Sequence, residues 1–199
     1  MSISVPLARR SAGFNLVALV PVISFVAGFA WLAFGFESIV RPGQYDYRNT
    51  LIFLPWLPSM AVVYWLHAER PATAGRVRTF GGRLLLAAMA VVVIGQPGII
   101  FDFEPLLAFA IAGFIGFVFG TLAFGLGLYL DRALPAPLAL SVMLTQVGTM
   151  AMGVALSPWV PLEDDGSYSG AIVHGFVFTA LAFWIARDWG RRQRTLKAG

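Results

Sequence analysis

The chain has 199 residues, of which 58% are hydrophobic and 12% charged, with a formal net charge of +4 and a mean hydropathy of +0.77. An ordinary soluble domain is about half apolar and about a quarter charged, and a chain of this size cannot hide so much apolar surface in one core. The composition therefore excludes a soluble enzyme, a disordered segment and a nucleic-acid-binding domain, and the absence of cysteine excludes disulfides, thiolate metal sites and a Cys nucleophile.

Crossing about 30 Å of hydrocarbon takes roughly 20 apolar residues. Six such runs follow one another at 14–36, 51–68, 84–101, 106–130, 137–160 and 171–186. The first follows the pair Arg9–Arg10 and outruns the apolar core of about 7–15 residues found in a cleaved signal. The second opens on Pro55-Trp56-Leu57-Pro58 and closes at His67. In the third, Gln96-Pro97-Gly98 interrupts the outer half. Proline removes a donor and frees the carbonyl of Val93, so the helix is expected to be kinked or broken there, with Gln96 beside the freed groups.

The fourth run places Gly113, Gly116, Gly120, Ala123 and Gly127 on one helical face, at steps of three and four. Such a face lets another backbone approach closely. The fifth run offers Ser141, Thr145, Gly148 and Ala155 on one side, so the fourth and fifth spans are expected to pack on each other. Thr145 and Gln146 lie near the midplane of the fifth run, and His174 lies about one turn below the outer surface of the sixth.

Orientation follows from the basic residues. Twelve fall on the side of the termini, among them Arg76, Arg78, Arg132, Arg187 and Lys197, whereas Arg41 and Arg48 alone fall on the other. Seven of the ten carboxylates show the opposite bias, including Asp102, Glu104, Glu163, Asp164 and Asp165. Both termini are therefore expected in the cytoplasm. Trp31, Trp56 and Trp159 are read as an aromatic belt at the outer ends of their spans. A single Lys among 14 basic residues suggests a GC-rich bacterial genome and hence a bacterial cytoplasmic membrane.

No charge lies in the middle of a span, which argues against a coupled ion pump. The candidate substrate-binding residues are the uncharged Gln96, Gln146, Thr145 and His174. The outer carboxylates could surround His174 as an acid–base or cation site, although no ligand spacing specifies a metal. Phosphate-loop, HExxH and GxSxG motifs are absent. No Cys-ligated cluster is expected, and His67 and His174, at opposite membrane faces, do not form a single-chain bis-His haem site.

The reading is one polytopic domain over 1–199: an all-α integral membrane bundle of six helices. Its expected role is a binding or transport module for a small neutral or apolar solute. An accessory subunit of a larger membrane complex is the alternative, and an outer-leaflet lipid-acting enzyme using His174 and nearby carboxylates is the third. The partners expected are the lipid bilayer and either further copies of the chain or other membrane subunits, with no nucleic acid.

Overall fold

The structure, a computed structural model, describes residues 16–41, 53–68, 74–101, 103–160 and 169–198. They form six α-helices: α1 (Val20–Val40, after a 3-10 turn at Leu16–Leu19), α2 (Phe53–Ala68), α3 (Arg76–Ile100), α4 (Glu104–Leu130), α5 (Ala136–Leu156) and α6 (Ile172–Ala198). There is no strand among the described residues. Prolines open α1, α4 and α5, where a missing N–H removes no ladder bond. The turn after α4 passes through Arg132 at φ 51°, and Ala133 N–H returns to the carbonyl of Leu128 at 3.0 Å, which closes the helix end.

Packing order follows chain order. Each helix lies against the next, and α6 returns to α1, so the six form a closed ring. Four of them, Val20–Val40, Arg76–Ile99, Glu104–Leu130 and Ala136–Leu156, are long and apolar enough to cross a membrane. The outside of the ring is apolar as well: Phe29 on α1, Phe119 on α4 and Phe183 on α6 are all at least 60% exposed. Large apolar side chains on several outer faces at once are unusual for a protein facing water.

The most extensive pairing is α3 with α4, and it corrects the expected partner of the glycine face. A side chain at Gly113, Gly116, Gly120 or Gly127 would strike Val92, Ala88, Leu85 or Arg78 of α3. From the other side Gly81, Gly95 and Gly98 of α3 face Phe124, Ala110 and Leu107 of α4. Both helices therefore contribute glycines, and the short connection between them sets these at matching depth. Helix α5 meets α4 elsewhere, where Met143 packs on Gly125, and Gly148 faces Val173 of α6. A second seam joins α1 to α6 through Gly28, Gly35 and Gly175, with the Ser24 hydroxyl donating to the Phe178 carbonyl at 2.8 Å.

Helix α3 is not broken at Gln96-Pro97-Gly98. It runs unbroken from Arg76 to Ile100, and the ladder resumes with Phe101 N–H on the Pro97 carbonyl at 2.9 Å. Pro97 stands one turn from the helix end, so a single donor is lost while Gly95 and Gly98 hold this turn against α4.

At the other end of the ring Arg78 is buried at 2% exposure. Its guanidinium donates to the Leu66 carbonyl at 2.6 Å and lies 3.9 Å from Asp131 Oδ2, which also accepts Gly75 N–H at 2.9 Å. One side chain thus ties the end of α2 and the α4–α5 turn to the start of α3.

Candidate functional site

A cavity of about 490 Å³ lies among the helices of the ring. Every helix contributes to its wall: Trp31 from α1, Trp56 from α2, Ile99 from α3, Phe117 from α4, Thr149 from α5 and His174 from α6. The volume lies within the usual range of about 300–1,000 Å³ for small-molecule sites, which are mostly apolar with a few placed polar groups.

The wall is built around the imidazole of His174. Trp31 stacks on one ring (centroids 4.9 Å, planes 29° apart), and Phe117 also stacks on it (5.7 Å, 21°). Trp31 is itself held, because its indole N–H donates to Ser59 Oγ at 2.9 Å and that hydroxyl donates to the Pro55 carbonyl at 2.6 Å. Trp56 sets its edge against Trp31 at 5.3 Å and against Phe117 at 5.0 Å. Edge-to-face and offset stacking of this kind contributes about 0.5–1.5 kcal/mol per pair beyond burial. Four rings from four helices therefore lock one another.

With its faces covered, His174 has only its edge for hydrogen bonding. Nδ1 lies 2.8 Å from Thr149 Oγ1, and that hydroxyl lies 2.9 Å from the Thr145 carbonyl. The Thr149 hydroxyl donates its one proton to the Thr145 carbonyl, and in the tautomer that complements this bond His174 Nδ1 carries the proton and donates to Thr149. In the neutral ring this tautomer leaves Nε2 as a lone-pair acceptor. His174 Nε2 is buried with no protein partner, and so is the indole Nε1 of Trp56.

Of the four binding residues expected from sequence, His174 and Gln146 lie on this wall. Thr145 lies on a second cavity of about 30 Å³, which His174 also lines together with Phe117. Gln96 is fully buried and its amide atoms have no protein partner, yet it lies on the wall of neither cavity. Asp102, Glu163, Asp164 and Asp165 lie outside the described residues, and Glu104 is exposed at the start of α4. Among the described residues no group of three or more His, Asp or Glu gathers as a metal site.

Sequence reasoning missed Thr149, Trp31, Trp56 and Phe117. Thr149 carried a legible signal, since Ser141, Thr145 and Thr149 recur at every fourth position, each hydroxyl donating to the carbonyl four residues back. Trp31 and Trp56 correct the expected belt. They are 4% and 2% exposed inside the ring, whereas Trp159, at 74%, faces outward. Comparison with protein-family models, with curated proteins and with solved structures finds no match to this chain, so the reading of its function rests on this cavity.

Proposed function

We propose that the protein is a membrane-embedded module that binds, and in its full role moves, a small and largely apolar solute in the cavity around His174. The observation that carries this reading is the cavity itself, about 490 Å³ in volume and walled by aromatic rings, with His174, Thr149, Gln146 and the Trp56 indole as its polar groups. On this reading α2 and α6 also cross the bilayer, which makes six spans with both termini on the cytoplasmic side, and the bias of basic residues supports it.

The route of access is consistent with a solute that partitions into lipid. Ile115 on α4 and Met150 on α5 line the cavity and are also more than half exposed, and Gln146, which lines it too, is half-buried. Helices α4 and α5 touch near their short connection, at Gly125 and Met143, and the cavity lies further from that connection. These positions support a lateral opening between α4 and α5.

The test is native mass spectrometry of the protein extracted in mild detergent with bound molecules retained. The expected result is a discrete small-molecule adduct on the wild type that is lost from Gln146→Trp, whose larger side chain fills the opening. Stoichiometric foreign subunits with no such adduct would instead make the chain an accessory component of a larger complex.

A further inference from the structure

The polar side chains of the cavity wall specify more than an apolar ligand. Two of them carry a buried atom with no protein partner: His174 at Nε2 and Trp56 at Nε1. Their chemistry differs. The indole N–H only donates, whereas the hydrogen bond from His174 Nδ1 to Thr149 leaves Nε2 to accept. Buried polar groups in folded proteins are nearly always satisfied, and a donor and an acceptor on one aromatic wall await complementary groups. The flat rings of Trp31, Trp56 and Phe117 favour a ligand with a flat ring of its own.

We propose that the ligand is an aromatic, lipid-soluble molecule of the phenol and quinone class, its hydroxyl donating to His174 Nε2 and its oxygen atoms accepting from Trp56 Nε1. This deepens the proposed function and rests on the same cavity. His174 supplies selectivity for a hydroxyl, Trp56 selectivity for an oxygen acceptor, and the lateral opening between α4 and α5 admits the molecule from the bilayer. Thr149 is a positioning residue, since it acts by holding the Nδ1 proton in place.

The experiment uses the full-length protein in lipid nanodiscs, titrated by calorimetry with three flat bicyclic probes. Naphthalene has neither polar function, 1,4-naphthoquinone only acceptors, and 1-naphthol both. The wild type is expected to bind 1,4-naphthoquinone about 10-fold tighter than naphthalene and 1-naphthol about 10-fold tighter again, each step the size of one net hydrogen bond. His174→Phe keeps the stacked ring and should remove the preference for 1-naphthol over 1,4-naphthoquinone without changing naphthalene. Trp56→Phe should remove the preference for 1,4-naphthoquinone in the same way. Equal binding of all three probes by the wild type overturns this inference and leaves the apolar cavity reading standing, as do preferences that persist in both variants. Binding of none of the three overturns both.

Discussion

His174 shows how a single polar residue in an apolar run acquires a chemical role. Trp31 and Phe117 stack on it, Thr149 accepts the hydrogen bond of Nδ1–H, and Nε2 is left without a protein partner. Thr149→Val keeps the shape of the wall but strands that proton, so it is expected to destabilise the protein by about 1–3 kcal/mol. Thr149→Ser retains the acceptor and should keep most of the stability. Unfolding of the purified protein in detergent reads both. His174 and Gln146 were legible in the sequence because a polar side chain among hydrophobic ones has few reasons to be there. Thr149 showed only as one of three hydroxyls at every fourth position, with Ser141 and Thr145; each satisfies itself on its own backbone, and nothing in the sequence tells which of them also meets a partner. Trp31 and Trp56 were misplaced for a related reason. Both stand near span ends, where tryptophans commonly face headgroups, and only the closing of the ring turned them inward.

At the scale of helices, glycine placement decides who packs on whom. A Cβ at Gly120 would lie 2.7 Å from Leu85 Cα and 2.9 Å from its backbone nitrogen, so α3 and α4 would have to move apart. Gly120→Ala should therefore cost about 1–3 kcal/mol in the same unfolding assay. Gly190 on α6 has no neighbour within 4 Å of such a Cβ. Gly190→Ala should be neutral or raise stability by about 0.5–1 kcal/mol, the helix-propensity gain. A contrary ranking of the two variants would mean that the α3–α4 seam does not hold the ring. The glycine face of α4 was visible as a period of three and four residues, but its partner was not. Periodicity identifies a face, and only the spatial neighbour, here α3 with its own Gly81, Gly95 and Gly98, says what fills it. The interruption expected at Pro97, a kink or a break, likewise turned on position: one donor is lost near the helix end, and the ladder resumes with Phe101 N–H on the Pro97 carbonyl.

At the scale of the molecule, the closed ring accounts for the cavity. All six helices contribute to the cavity wall, and large rings from four of them fill only part of the space between them. The chain has no cysteine, so single introduced cysteines report sidedness without background. With six spans, Ser2→Cys and Ala198→Cys should react with an impermeant maleimide only from the cytoplasmic side, and Tyr45→Cys only from the outside. Termini labelled from opposite sides would mean an odd number of crossings and would undo the proposed orientation.

The amino-acid order alone carried the apolar character of the helices, the helical repeat, the number of apolar runs and the alternation of basic and acidic residues between those runs. These are sums over composition or patterns along one helix, and each is complete before any helix meets another. The tertiary structure decided the pairing of α3 with α4, the inward turn of Trp31 and Trp56, and the union of His174, Thr149 and Gln146 on one wall. Those features depend on which faces of separate helices oppose one another at the same depth. Backbone-to-backbone contact at glycines on both sides of a seam settles that depth, and it takes two helices to make one.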